Sequence, residues 1–254
     1  MYKLHTTCRA CGLGANALPT LKHSTAAGPG GGSAETLQSV FNLGVLPLAN
    51  DFCGPSDNRA GYAPLNVMLC PACGLAQLSV VVRPDILYRN YPYVTSNSAT
   101  MRNHFANLRY DIGDESDGFK SVLEIGSNDG TFMRFLGGHG AHCLGIDPAA
   151  NLCDIANKRG TPTLCGMFSA SSEAWVRKEL GKVDVIIARH VFAHVDDWRG
   201  FVEALESVTT ADTLICLEVP YVADQLDGVS FDQIYHEHLS YVSVGAIEAL
   251  LKGT

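Results

Sequence analysis

From residue 119 onward, short apolar runs alternate with longer stretches whose apolar residues recur at helical spacing. The runs at 121–125, 142–146, 162–165, 183–188 and 213–219 have the length and branched character of buried strands. The stretches between them, near 130–138, 149–158, 171–180 and 197–208, read as helices. Strand alternating with helix predicts a parallel sheet covered on both faces, an α/β domain over 119–254. Upstream, Ala99 to Asp111 reads as one more helix, and Gly113 to Gly118 as a polar turn before the first sheet strand. Residues 81–118 form a link. Residues 1–80 lack the alternation and form a separate unit. Within it, Ser24 to Ala34 is a Gly/Ser-rich surface loop, and Phe41-Asn-Leu-Gly-Val-Leu-Pro-Leu-Ala-Asn50 is apolar enough to pack.

Length and composition narrow the class. A chain of 254 residues holds one large α/β domain and something small. It is 46% hydrophobic and 17% charged with a net charge of −8, which argues against a nucleic-acid or acidic-membrane partner. No apolar run approaches the roughly 18 residues of a membrane span, and the N-terminus lacks a basic-then-apolar pattern. The expectation is a cytoplasmic protein.

Cysteine usage changes the picture of the first unit. Of nine cysteines, four fall into two C-x-x-C-G pairs, Cys8-Arg-Ala-Cys11-Gly12 and Cys70-Pro-Ala-Cys73-Gly74. Each pair is a turn that points two thiolates at one place. Two such turns offer four soft ligands, a set suited to structural Zn²⁺ with no open position. A redox C-x-x-C is the competing reading, and it does not explain the doubling. Cys53, Cys143, Cys153, Cys165 and Cys216 stand singly, mostly within apolar runs, and read as small buried hydrophobes.

The first strand carries the chemistry of the second unit. Val122-Leu-Glu124-Ile-Gly126-Ser127-Asn128-Asp129-Gly130-Thr131 is an apolar run that ends in an acid and breaks into two glycines. A strand that stops in a glycine turn lets backbone approach a ligand, and the next helix offers unpaired N–H groups. The spacing is not the G-x-G-x-x-G of a dinucleotide site. The next strand ends at Asp147-Pro148, where a carboxylate can accept from two ribose hydroxyls. Glycine loop first, then an acid one strand later, is the order of S-adenosylmethionine (SAM) binding folds. The fourth strand opens into Arg189-His190-Val191-Phe-Ala-His194-Val195 beside that loop, making His190 and Val191 candidates for cofactor contacts and His194 a packing histidine.

Two further segments are unusually polar. In Tyr88-Arg-Asn-Tyr91-Pro-Tyr93-Val-Thr-Ser96, the phenols either pack and cap the turn or line a pocket facing the cofactor. After the fifth strand and Glu218-Val-Pro-Tyr221 comes Phe231-Asp-Gln-Ile-Tyr235-His236-Glu237-His238-Leu-Ser-Tyr241. His236 and His238 as a metal pair lack a third ligand nearby. Proton transfer suits the segment better, since an imidazole titrates near neutral pH and a neighbouring carboxylate can orient it. A structural hydrogen-bond cluster is the other reading.

Together these strings resemble the SAM-dependent sugar C-methyltransferases, which act on nucleotide-linked 4-keto deoxysugars in antibiotic sugar pathways. The resemblance spans nearly the whole chain. It rests on both C-x-x-C-G pairs, Leu46-Pro-Leu-Ala-Asn50, the turn at 91–96, Glu124 to Thr131 and Gly145-Ile-Asp-Pro148. It continues through Ala193-His-Val195, Glu218-Val-Pro-Tyr221 and Phe231 to Ser243. It implies a Rossmann-like class I methyltransferase fold behind a small zinc-binding domain, with SAM and Zn²⁺ as cofactors and a nucleotide sugar as substrate. It also implies His238 as general base, Glu237 and Tyr235 as neighbours that orient it or bind sugar, and Tyr91 and Tyr93 as substrate-facing groups. Deprotonation next to the ketone would give an enolate that attacks the SAM methyl group. The chain departs from the pattern twice. His190 stands where relatives carry Asn, and relatives continue past Thr254 with the last sheet strands and a further domain. In the sheet order 3-2-1-4-5-7-6 that leaves the fifth strand at an edge. A SAM- and zinc-binding module without turnover, and a methyltransferase for an RNA or protein acceptor, remain alternatives.

Overall fold

The structure, a computed structural model, describes residues 1–14, 36–52, 54, 61–115 and 118–252. The surface loop expected at 24–34 and Cys53 lie outside the described residues. In chain order the strands are β1 (Tyr2–Leu4), β2 (Gln38–Pro47), β3 (Tyr62–Leu69), β4 (Ala76–Leu78), β5 (Val80–Val82), β6 (Ser121–Ile125), β7 (His142–Asp147), β8 (Thr163–Cys165), β9 (Val185–Arg189), β10 (Leu214–Glu218) and β11 (Ser240–Tyr241). The helices are α1 (Pro84–Leu87), α2 (Ala99–Glu115), α3 (Thr131–Gly137), α4 (Ala150–Lys158), α5 (Glu173–Leu180), α6 (Trp198–Val208), α7 (Val222–Asp227) and α8 (Val244–Leu251). The chain divides into two compact units: Met1–Ile86 with Ala193–Arg199 and Pro220–Thr254, and Leu87–Phe192 with Gly200–Val219.

The second unit is a five-stranded sheet, order β10-β9-β6-β7-β8, parallel throughout. Its central strand β6 is buried on both faces, which is why it reads as a continuous apolar run. The strand expected at 183–188 starts two residues later, after Asp184, whose backbone N–H donates to Ser121 O at 3.1 Å. The Asp184 carboxylate accepts the backbone N–H of Lys120 at 2.9 Å and of Ser121 at 3.1 Å. Phe105, Leu108 and Ile112 of α2 pack with Phe132, Met133 and Leu136 of α3 over Val122, Val185 and Ile187. The Phe105 and Phe132 rings lie 4.7 Å apart, a contact worth about 0.5–1.5 kcal/mol beyond the area it buries. Among the described residues no strand pairs with the outer side of β10, which stands at the edge of the sheet with Ile215 exposed.

The first unit holds an antiparallel pair, β1-β5, and an antiparallel sheet, β11-β4-β3-β2. Leu65, Val67, Leu78, Val81, Leu239 and Tyr241 form its core. Sequence order suggested that 119–254 would be one domain, whereas Ser240 of β11 pairs with Gln77 of β4 and draws the C-terminal segment into this unit. The expectation that 41–50 packs holds only near its end, at buried Leu48 and half-buried Leu46. Phe41, Leu43 and Val45 are exposed because β2 is the outermost strand. Of the single cysteines, Cys143 and Cys153 are buried and Cys216 is half-buried, but Cys165 is exposed at the end of the edge strand β8. Among the described residues no helix is long and apolar enough to cross a membrane.

Candidate functional site

The glycine loop joins β6 to α3. Gly126 and Gly130 have φ of 70° and 72°, a region open to glycine at little cost. A Cβ on Gly126 would overlap the Val191 side chain, and one on Gly130 would lie 2.9 Å from Thr161 Cβ. Beside them Ser127 is buried and its Oγ has no partner, a donor left over in the loop. Asp147, at the end of β7, accepts the N–H of Asn128 on Oδ2 and of Ala149 on Oδ1, each at 2.8 Å. Pro148, with φ fixed by its ring, turns the chain so that Ala149 reaches back. Burial pushes the Asp147 carboxyl up, against those two amides. Each of its oxygens keeps a lone pair for a ribose hydroxyl. The backbone cradle, the unpartnered Ser127 hydroxyl and the acid at the next strand fit SAM.

Two acids named with the loop face inward. Glu124 is fully buried, with Oε1 held by Arg189 at 2.6 Å and Oε2 unpartnered. Burial drives its pKa upward against the pull of Arg189, whose guanidinium lies 4.9 Å and 4.5 Å from the Phe105 and Phe132 ring centres. Asp129 bonds Thr131 Oγ1 at 2.7 Å and Arg159 at 2.9 Å. Burial alone would raise it, but hydrogen bonds from Ser96 and Thr131 and the Arg134 charge leave it below its ordinary value. Both acids shape the loop from beneath.

The tyrosine turn lies against this loop. Asn128, itself at φ 53°, accepts the N–H of Thr95 at 2.9 Å and donates to Tyr93 O at 3.1 Å. Asn151 of α4 accepts Tyr91 N–H at 3.1 Å and returns a bond to Tyr91 O at 2.9 Å. Two amide side chains therefore fasten the backbone of Tyr91 and Tyr93, leaving Tyr93 49% exposed. Val191 covers Gly126, while His190 turns to Glu218, a residue the sequence reading left without a role.

In the first unit the four cysteines converge. Cys8 and Cys73 Sγ are 3.4 Å apart, Cys11 and Cys70 Sγ 3.6 Å, and all four ligand atoms lie within 4.8 Å of one another. A zinc tetrahedron with bonds of about 2.3 Å has sulfur–sulfur edges near 3.8 Å, so the set fits Zn²⁺. Burial pushes the Cys8 thiol up and that of Cys73 to about 11. At Cys11 burial also raises, but the Leu13 amide and neighbouring thiols bring the result below the ordinary value. Among the described residues no other His, Cys, Asp or Glu group is gathered this tightly, and His236 is bound to Ala63 O at 3.0 Å.

The His-Glu-His segment belongs to the same unit. His238 Nδ1 lies 2.9 Å from Gln233 O. A carbonyl only accepts, so the proton sits on Nδ1 and the lone pair on Nε2. The Tyr235 hydroxyl donates to that Nε2 at 2.9 Å, and burial with the Glu237 charge raises the phenol to about 12. Glu237 is buried and accepts from Asn50 Nδ2 at 2.8 Å, which gives the Leu-Pro-Leu-Ala-Asn string a physical purpose. His194, expected to pack, sets its ring edge-on to His238 at 5.1 Å. Arg9, between Cys8 and Cys11, is buried and donates to Leu239 O at 3.2 Å and Asp196 at 3.1 Å.

A sheet ordered β10-β9-β6-β7-β8, with its glycine loop after the first strand and an acid after the second, is that of the class I SAM-dependent methyltransferases. Residues 99–254 match the methyltransferase domain family and residues 32–88 a zinc binding domain family. The chain belongs to this methyltransferase family. It is 33% identical over 218 residues to the C-methyltransferase NovU of Streptomyces niveus, covering 84% of this chain and 52% of that protein. The chain thus spans about half the length of that curated relative. A SAM-dependent methyltransferase from Archaeoglobus fulgidus aligns with a TM-score of 0.48 at 19% identity over 60% of this chain and 67% of that one. The plantazolicin methyltransferase BpumL, solved with S-adenosylhomocysteine, aligns at 0.40 and 16% over 58% of this chain and 54% of its own.

Proposed function

We propose that the protein is a C-methyltransferase for a nucleotide-linked 4-keto deoxysugar. The observation that carries this is His238, with Nδ1–H fixed by Gln233 O and a basic Nε2 met by Tyr235. The likeness to NovU supports carbon as the methylated atom. SAM supplies the electrophilic methyl group, and Zn²⁺ on Cys8, Cys11, Cys70 and Cys73 supplies rigidity alone, since four thiolates leave no open position. His238 Nε2 takes the hydrogen next to the ketone. Tyr235, kept protonated at neutral pH, gives up its bond to His238 and donates to the oxygen as charge develops there. Tyr91 and Tyr93 face the sugar, and the loop at 126–130 with Asp147 holds the cofactor.

His238→Ala tests the base. S-adenosylhomocysteine binding by calorimetry should be unchanged, while methyl transfer and solvent exchange of the hydrogen next to the ketone fall at least about 100-fold, the usual worth of a general base. Retained exchange in that variant removes the assignment. Cofactor binding by the unaltered protein without product from any 4-ketosugar nucleotide would leave a ligand-holding module instead.

A further inference from the structure

One cluster of titratable groups belongs to neither site. Glu218, the last residue of β10, lies 2.8 Å from His190 Nε2 through Oε1 and 2.7 Å from His104 Nε2 through Oε2. Burial alone would raise this carboxyl, but hydrogen bonds from both imidazoles hold it to about 2. An ionised carboxylate only accepts, so each ring places a proton on Nε2, and the neutral ring carries its lone pair on Nδ1. His190 is also fastened through its backbone, whose N–H donates to Glu218 O at 2.8 Å. Its φ of 53° is uncommon for a residue with a side chain, and strain of this kind collects at functional sites. The His190 side chain is 54% exposed against 23% for Glu218, so the ring projects beyond the carboxylate that steers it. The next residue, Val191, covers Gly126, which puts the cluster at the border of the glycine loop.

We infer that His190 is a recognition residue for the methyl acceptor. Its Nδ1 accepts a hydrogen bond from a hydroxyl or amino group beside the carbon that is methylated. Glu218 is its positioning residue, and His104 braces the other carboxylate oxygen. This rests on the ketosugar reading above and moves His190 from the cofactor to the substrate. The polar groups lining the loop, Ser127, Asp129 and Asp147, are buried, whereas His190 is open. A lone pair cannot pair with a ketone oxygen, so the atom reads a donor and discriminates a hydroxyl from a hydrogen.

The test uses two nucleotide-linked 4-ketosugars that differ only by a hydroxyl or a hydrogen next to the reacting carbon. The variants are His190→Gly, which removes the ring where the backbone favours glycine, His190→Asn, whose carbonyl can still accept, and Glu218→Gln. The unaltered protein should favour the hydroxylated sugar in kcat/KM by about tenfold, the size of one hydrogen bond. His190→Gly should lose that preference through KM, His190→Asn keep most of it, and Glu218→Gln lose part of it. Affinity for S-adenosylhomocysteine should not change. Weaker cofactor binding in His190→Gly with the sugar preference intact would return the residue to the cofactor and overturn the inference. An unchanged preference in His190→Gly would overturn it as well while leaving the ketosugar reading in place. No turnover of either sugar by the unaltered protein would sink both.

Discussion

Single side chains set the response of the first unit to acid. Burial alone would raise Asp196, but hydrogen bonds from His5 and Lys3 and the charge of Arg9 hold it well below the usual carboxylate range. A depressed carboxyl contributes stability that is complete above its unfolded value near pH 4 and is lost as pH falls below it. Burial lowers His236, against its bonds to Ala63 and Pro64 carbonyls. A depressed imidazole likewise contributes nothing adverse above its unfolded value near 6.5 and costs stability as pH drops below that. Thermal melting followed from pH 7.5 to 3 should therefore fall in two stages, the first as pH drops below the unfolded imidazole value of about 6.5 and the second below about 4. His236→Gln, which cannot charge, should flatten the first stage, and Asp196→Asn the second. A profile unchanged by either substitution would contradict the assignment.

At the level of elements, the strand–loop–helix around Gly126 is the most sensitive part of the second unit. Gly126→Ala would place a methyl group against Val191 and force alanine to a φ of 70°. The expected cost is about 1–3 kcal/mol in denaturant unfolding, from left-handed backbone and overpacking together. Binding of S-adenosylhomocysteine should weaken in parallel. Val191→Ala in the same chain should recover the overpacking part and leave the backbone part. The strand–helix periodicity was readable because the inner strands β6, β7 and β9 are buried almost throughout and leave no polar face to blur it. Boundaries shifted by one or two residues at element ends such as Asp184, where side-chain bonds to Lys120 and Ser121 join the backbone ones. The apolar run at 41–50 misled for the opposite reason. Its composition is that of a buried strand, but β2 has a sheet neighbour on one side only.

For the molecule as a whole, the first unit is assembled from three separated stretches of chain. A chain ending at Val219 keeps all four cysteines of the metal set and should still take up about one Zn²⁺ by elemental analysis. It loses β11 and the Leu239 carbonyl that receives Arg9, so β4 should exchange its amide hydrogens faster and the unit should melt at lower temperature. Unchanged protection of β4 would show that the C-terminal segment is not part of that sheet.

The amino-acid order alone determined the class of fold, the glycine loop with an acid one strand later, and the two cysteine pairs that converge into one cluster. Each of these is local: a period, a turn or a spacing of a few residues that physical chemistry permits in few ways. Tertiary structure decided the rest. It brought Asn50 to Glu237, Asn128 to the tyrosine turn and Glu218 to two imidazoles, across separations that no pattern along the chain encodes. It also paired Glu124 with Arg189 of the neighbouring strand β9 and Asp129 with Arg159 at the end of α4, partners set by which elements pack together.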